Sequence, residues 1–233
     1  MIKKRLLVLI LALSALTSHA SAEVFFNTSA DVYTRYIFRG FTPAGNQPSL
    51  GLNFSAFFAD INLNVSQWYV NSLSDISAYH ELGTMVSYYH YFNDRLIGSG
   101  GLTMYLFPNL PQSPLAGVEM SMTLADMGFV IPYFVETYFD LVLKSWYFKF
   151  TAGYTIDIFL PFNLTLSGGF NLLNYTRYGN PVPAGISDIA IHLSTFMTLK
   201  NWQISPKFSY ILSNENIYPK PMLQASVNLA YSF

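Results

Sequence analysis

The chain of 233 residues contains no cysteine and is poor in charge. The absence of cysteine excludes a disulfide framework, thiol catalysis and cysteine-ligated metal sites. Charged residues make up 11% of the sequence, against about 25% in ordinary soluble domains. Apolar residues make up 52% and aromatic residues 17%. This composition is not that of an ordinary soluble protein.

Basic residues are also few, and they form no patch. The chain has 12 Lys and Arg, 13 Asp and Glu and a formal net charge of −1. Nucleic-acid-binding domains cluster Lys and Arg to meet phosphates, so we expect no nucleic-acid partner. His80 and His90 stand alone in the sequence and lack the spacing of metal ligands. We therefore predict no metal and no other cofactor.

The first 22 residues have the features of a secretory signal peptide. Residues 3–5 are basic, residues 6–16 form an apolar core too short to span a membrane as a helix, and residues 20–22 are small. We predict that residues 1–22 are cleaved and that residues 23–233 form a single domain. That domain would carry 9 basic and 13 acidic side chains.

After residue 22, no run approaches the roughly 18 apolar residues that a transmembrane helix needs. Apolar and polar residues instead alternate with a period of two, which is the pattern of β-strands. An exported apolar chain without helical spans can satisfy its backbone in lipid only as a closed barrel. The sequence therefore predicts an all-β fold, a closed antiparallel transmembrane β-barrel in contact with the lipids of the bacterial outer membrane.

Twelve alternating segments define the predicted strands. They cover about residues 26–40, 49–59, a third segment from residue 61, 79–92, 96–107, 115–124, 129–140, 146–156, 162–172, 186–199, 202–212 and 222–233. The connections mostly alternate between short and long, as in bacterial barrels with both termini on the periplasmic side. Ten or fourteen strands remain alternatives, because boundaries read from sequence carry errors of several residues.

The last strand, residues 222–233, alternates throughout and ends on an aromatic residue. About ten residues are enough to cross a bilayer as a tilted strand. A terminal strand of this kind resembles the closing strand of bacterial outer-membrane barrels, which the barrel-assembly machinery reads. The resemblance implies that Tyr231 and Phe233 form the assembly signal and that this machinery is a partner.

Charged residues on the predicted strands all fall on the parity opposite the aliphatic row. A charge facing the middle of the bilayer costs roughly 2–4 kcal/mol, so this placement predicts a lipid-facing apolar surface and a charged lumen. The charges are four basic and six acidic, which does not support strong anion selectivity. They form either a constriction that orders solutes or a salt-bridge network that fills the interior. The predicted lumen residues are Asp31, Arg35, Arg39, Glu81, Glu119, Glu136, Asp140, Lys149, Asp188 and Lys207.

Aromatic residues at the strand ends predict the two interfacial girdles of a membrane barrel. These residues are Phe38, Tyr69, Phe92, Trp146, Phe162, Trp202 and Tyr231. Their rings would mark the two levels at which the barrel wall leaves the hydrocarbon.

His192 and Ser194 are the residues that suggest catalysis. A His-x-Ser on one strand resembles outer-membrane lipases and lipid A deacylases. In those enzymes the pair faces the lipid, because the substrate is a lipid, whereas here both residues fall on the lumen parity. A lipid-modifying enzyme therefore stays an alternative function. Another is a closed structural or adhesion barrel whose outer-loop residues Tyr175, Arg177 and Tyr178 meet a partner.

Strand one and its loop resemble a known family. The run Tyr36-Ile37-Phe38-Arg39-Gly40, followed eight residues later by Pro48 and an alternating strand, resembles the opening of the TorF-type outer-membrane porins. It departs from the family pattern at Leu50-Gly51, where a Gln is expected. The resemblance implies that Arg39, Gly40 and Pro48 are the family signature, with Gly40 in a turn and Arg39 meeting a lumen partner. It also implies passive diffusion of small hydrophilic solutes.

Overall fold

The computed structural model describes residues 23–39, 41–75, 79–108, 116–172, 184–214 and 220–233. The predicted signal peptide, Gly40 and the outer-loop residues Tyr175, Arg177 and Tyr178 lie outside these ranges. Within the described ranges, no helix is long and apolar enough to cross a membrane.

The described strands form one antiparallel sheet that closes on itself, because the first strand pairs with the last. The strands are β1 Val24–Tyr33, β2 Ser49–Phe58, β3 Leu63–Ser72, β4 His80–Tyr91, β5 Leu96–Leu106, β6 Ala116–Asp126, β7 Tyr133–Asp140, β8 Ser145–Asp157, β9 Pro161–Leu172, β10 Gly185–Thr195, β11 Met197–Leu199, β12 Trp202–Ser213 and β13 Met222–Ser232. A 3-10 turn, Ala59–Ile61, joins β2 to β3. β10 and β11 are separated by Phe196 alone, and both pair with β12. They therefore act as one interrupted strand, and the thirteen described strands form a twelve-stranded ring. The predicted twelve-stranded barrel is confirmed.

Side chains alternate between the outside and the lumen, as the pleat of a strand requires. The outward rows are apolar and open to the surroundings; Leu102, Leu166 and Ile191, near the middle of their strands, are each about half exposed. The inward rows are polar. An apolar belt of this extent would be unstable in water and is suited to lipid.

The predicted first strand is wrong at its far end, because β1 stops at Tyr33 rather than Gly40. The Thr34 N–H still donates to the Ala225 carbonyl at 2.9 Å, and beyond it the chain leaves the sheet. Arg35 and Arg39 are therefore not strand residues, and Phe38 is not part of a girdle. The reason is that a period of two cannot distinguish aromatic residues facing lipid from aromatic residues packed inside a lumen.

Smaller differences occur on β7 and β10. The seventh strand was predicted from residue 129 and begins at Tyr133. The Asp126 carboxylate accepts hydrogen bonds from the N–H groups of Gly128 and Phe129, at 2.9 and 3.1 Å, and so forms a turn where the strand was expected. The tenth predicted strand is interrupted at Phe196.

The two described termini meet at one end of the barrel. Phe26 and Phe233 exchange backbone hydrogen bonds of 3.1 Å, and the Trp202 and Tyr231 rings lie 4.7 Å apart beside them. We call this the terminal end, and we call the opposite end, where β1 ends and β2 begins, the loop end. The fully buried side chains gather toward the loop end, so the lumen is filled there.

Candidate functional site

The connection from β1 to β2, residues 34–48 without Gly40, folds into the barrel; we call it the inner loop. On one side it packs against β3, β4 and β5. Ala44 is buried in a cluster with inward-facing residues of that wall, and the Tyr36 ring lies 6.0 Å from the Tyr79 ring. The wall members of this cluster are Val70, Tyr79, Tyr105 and Phe107, with Trp68 packed against them.

The inner loop also contacts the other side of the lumen. Ile37 packs against a buried cluster formed by Ala190, Ile211 and Met222, from β10, β12 and β13. Close by, the Gln224 side chain donates a hydrogen bond of 2.8 Å to the carbonyl of residue 35. Because the loop touches both walls, it crosses the lumen at the loop end. Burial of its apolar side chains is worth roughly 1.5–3 kcal/mol for each large residue.

The tip of the inner loop is a tight turn. Phe38 and Phe41 exchange backbone hydrogen bonds of 2.8 and 2.9 Å. Between them, Arg39 adopts a left-handed backbone conformation with φ of 49°, which is uncommon for a residue other than glycine. A backbone held in this region persists when surrounding contacts determine it. In this turn, those contacts are made by the Arg39 side chain.

Arg39 reaches the wall of β6. Its two terminal nitrogens bind the two carboxylate oxygens of Glu119, with Nη1–Oε2 at 2.7 Å and Nη2–Oε1 at 2.8 Å. The Arg39 side chain is 7% exposed and that of Glu119 is 1% exposed. The hydrogen bonds of a bidentate ion pair are roughly twice as strong as those between neutral groups. It fixes the tip of the inner loop to the barrel wall.

Aromatic rings surround this ion pair. The guanidinium carbon of Arg39 lies 4.8, 4.3 and 4.5 Å from the ring centres of Phe38, Tyr138 and Tyr147, within the range of cation–π attraction. The Tyr105 hydroxyl donates to Glu119 at 3.1 Å. We call the surrounding group the Arg39 cage; it consists of Phe38, Tyr105, Glu119, Tyr138 and Tyr147.

A second ion pair lies on the β7–β8 hairpin. Lys149 Nζ is 3.2 Å from Glu136 Oε2, and the two residues are direct cross-strand partners. Their side chains are 36% and 19% exposed, so this pair is wetter than the first. The Tyr138 hydroxyl donates to Glu136 at 2.6 Å, which links this pair to the Arg39 cage.

Two further carboxylates are buried and accept hydrogen bonds from neighbouring side chains. Asp188 accepts from the hydroxyls of Tyr147, at 3.2 Å, and Ser187, at 2.6 Å. Glu81 accepts from the indole N–H of Trp68 at 2.7 Å and from the hydroxyl of Tyr79. Hydrogen bonds from neutral donors offset part of the cost of burying these carboxylates.

Below the inner loop lies a cavity of about 730 Å³. Its wall includes five charged residues and one histidine: Asp31, Arg39, Lys149, Asp188, Lys207 and His192. Tyr33, Tyr36, Trp68, Tyr138 and Tyr147 also contribute to it. A polar, tyrosine-rich cavity of this size suits a small hydrophilic solute.

The ten predicted lumen residues do not form a single cluster in the structure. The structure brings Arg39 to Glu119 and Lys149 to Glu136. Five of the ten line the cavity: Asp31, Arg39, Lys149, Asp188 and Lys207. In the described part of the chain, the lining does not include the other five, which are Arg35, Glu81, Glu119, Glu136 and Asp140. The Asp140 carboxylate instead accepts hydrogen bonds of 2.9 Å from the next turn's backbone, at Val142 and Leu143.

The sequence analysis missed the cage tyrosines. Tyr138 stands between Glu136 and Asp140 on the inward parity of β7, and Tyr147 stands two residues before Lys149 on β8. Their shared parity with the charged row was a usable signal. By itself, however, tyrosine on a strand does not distinguish a lumen residue from an interfacial one.

The His192 and Ser194 pair points into the lumen, as the parity indicated. His192 hydrogen-bonds Ser209 at 2.8 Å and Ser167 at 3.2 Å, both on neighbouring strands. Ser194 is the register partner of Lys207. This arrangement gives a lipid-modifying enzyme no support. In the described ranges, no three His, Asp or Glu side chains are placed to hold a metal ion.

Gly83 provides a stability test of the packing beside the inner loop. A Cβ added at Gly83 would lie 2.0 Å from the Trp68 ring, and Trp68 is held by its hydrogen bond to Glu81. We expect Gly83→Ala to lower the free energy of unfolding by about 1–3 kcal/mol. Gly100→Ala is the control, because the nearest atom would be 3.9 Å away. Urea titration of barrels refolded in vesicles measures both, and equal losses would contradict this packing.

The fold of this chain is similar to the folds of several porins of known structure. The chain superposes on the KdgM porin with a TM-score of 0.59 at 10% sequence identity, covering 90% of this chain and 99% of the porin. A KdgM porin in complex with disordered oligogalacturonate gives 0.59 at 12% identity, over 90% and 99%. The NanC porin gives 0.56 at 12% identity, over 89% and 98%. The fold is that of the outer-membrane porins.

In sequence, no family model matches the chain, and neither does any curated protein. The structural likeness, at 10–12% identity, therefore concerns the barrel itself. The resemblance of residues 36–51 to the TorF-type porins stays a prediction.

Proposed function

We propose that this protein is an outer-membrane channel for the passive diffusion of small hydrophilic solutes, with its lumen constricted by the inner loop. The observation that carries the proposal is the combination of an apolar exterior with a polar cavity of about 730 Å³ inside a closed barrel. The porin fold of the structural neighbours supports it. We also propose that residues 1–22 direct export, that Tyr231 and Phe233 serve as the assembly signal, and that the chain belongs to the TorF-type porins.

The cavity charges support weak selectivity. Arg39 is neutralised by Glu119 and Lys149 by Glu136. The remaining charges of the lining are those of Lys207, Asp31 and Asp188, which favour neither sign strongly. A KdgM porin has been seen with the polyanion oligogalacturonate; for this channel we propose solutes that are smaller and less acidic.

The test is single-channel conductance of the refolded barrel in a planar bilayer, with reversal potentials in a salt gradient. We expect discrete steps and a small reversal potential. A correctly folded barrel that stays silent would contradict a channel function and favour the closed structural barrel.

Replacing Arg39 tests whether the inner loop is the constriction. Arg39→Ala removes the ion pair with Glu119, so we expect the loop to move and the conductance to rise about two-fold or more. Arg35→Ala is the matched control, since it removes the same charge from the same loop outside the cavity lining. It should leave the conductance unchanged. Equal effects of the two variants would mean that net charge, and not the cage, governs flow.

A further inference from the structure

Resting on the proposed channel function, we infer that the Arg39 cage is a recognition site for solutes that carry a guanidinium group. In the structure the Arg39 side chain, which is covalently part of the inner loop, fills this site and competes with such a solute for it. A guanidinium solute that takes its place releases the inner loop from the wall.

The site is built on the barrel wall and not on the loop. Tyr105, Glu119, Tyr138 and Tyr147 lie on four consecutive strands, β5 to β8, and Phe38 alone comes from the inner loop. Strands of a closed sheet hold their positions when a connecting segment moves. A carboxylate flanked by tyrosine rings therefore remains in place after the loop has left.

The chemistry of the site selects a guanidinium ion. The two Glu119 oxygens receive two parallel N–H donors at 2.7 and 2.8 Å, and ring centres lie 4.3 and 4.5 Å from the cationic carbon. A planar fork that also stacks on rings matches this arrangement, whereas an ammonium ion is a strongly hydrated point charge. Neutral planar molecules offer the same shape without the charge that Glu119 requires.

Burial couples the movement of the loop to the arrival of a cation. The Glu119 side chain is 1% exposed, and a buried carboxylate that loses its partner is strongly destabilised. Release of Arg39 is therefore favoured when another cation replaces it. Arg39, Tyr105, Tyr138 and Tyr147 line the lumen cavity, so a solute inside the channel lies next to the site and meets Glu119 as Arg39 withdraws.

The first experiment empties the site. Arg39→Ala barrels refolded in detergent are titrated calorimetrically with ethylguanidinium, with ethylurea as the neutral planar analogue and ethylammonium as the point charge. We expect ethylguanidinium to bind at least about tenfold more tightly than either analogue. Arg39→Ala/Glu119→Gln should lose this preference. Lys149→Ala removes the cation paired with Glu136 and leaves Arg39 in the site. This variant should not show the preference for ethylguanidinium.

The second experiment keeps Arg39. The chain has no cysteine and Ala44 of the inner loop is 5% exposed, so Ala44→Cys places a single buried reporter on the loop. We expect agmatine to raise the rate of maleimide labelling several-fold, because agmatine carries a guanidinium group. Putrescine, which has amines at both ends, should have little effect. Because Arg39 is intact in this chain, the measurement tests the inference even if Arg39→Ala does not fold.

Equal binding of ethylguanidinium and ethylurea, or binding that survives the loss of the Glu119 charge, would overturn the inference. So would labelling that responds to agmatine and putrescine alike. Neither experiment requires ion flow. A barrel that binds guanidinium specifically but does not conduct would contradict the channel function and support the recognition site. A barrel that conducts but does not bind guanidinium would support the channel function and contradict the recognition site.

Discussion

Glu119→Ala is expected to lower the free energy of unfolding by about 3–5 kcal/mol, because it takes the bidentate carboxylate away from a buried charge. The charge is that of Arg39, whose side chain is 7% exposed. The surrounding rings still attract the guanidinium, but cation–π contacts are worth only about 0.5–2 kcal/mol. Urea titration of barrels refolded in lipid vesicles, followed by tryptophan fluorescence, measures the loss.

Glu136→Ala is the matched control for this change. It removes the same side chain from the next strand, but the partner Lys149 is 36% exposed and can be hydrated. A pair this open to water contributes about 0–1 kcal/mol, so the expected loss is small. Combining Arg39→Ala with Glu119→Ala should cost less than the sum of the two single changes. Additive losses would show that the two residues do not act as a pair.

Phe54→Arg is expected to destabilise the barrel in lipid by roughly 2–4 kcal/mol, because it places a charge on the lipid-facing surface. Phe54 lies in the middle of β2 and is 44% exposed on the outward face. The cost arises from dehydration of the guanidinium in hydrocarbon. It should therefore be large in vesicles and much smaller in a detergent whose head groups lie close to the residue.

The neighbouring position supplies the control. Ser55 is the next residue of β2 and lines the lumen cavity, where water is available. Ser55→Arg should cost less than about 1 kcal/mol. If the neighbouring substitution were the costlier one, the assignment of lumen and lipid faces would be reversed.

The barrel could be predicted closely because the alternation is strong where one face meets lipid. The predicted bounds of the second and ninth strands differ from β2 and β9 by a single residue at one end. A one-residue slip would turn every apolar side chain of such a strand toward the lumen, so the pattern determines the register. β1 was extended too far because Tyr36 and Phe38 continue the alternation while packing inside the lumen.

The pairing inside the lumen could not be predicted. The parity rule indicated that Glu119 faces inward, but its partner comes from a loop 80 residues earlier in the chain. The path of a loop depends on which wall its apolar side chains meet, as Ile37 and Ala44 show. That choice rests on contacts among strands far apart in the sequence, and local patterns contain no information about it.

The position of the inner loop has a consequence for how the protein folds. The loop follows the first strand, yet its contacts lie on strands made later, and the bond from Gln224 to the carbonyl of Arg35 spans 189 residues. The ring closes when β13 meets β1, and Gln224 lies on β13, so this contact of the loop forms only once the last strand has been added. Contacts of such long sequence separation make folding slow. The constriction is therefore expected to be among the last parts of the molecule to reach its final structure.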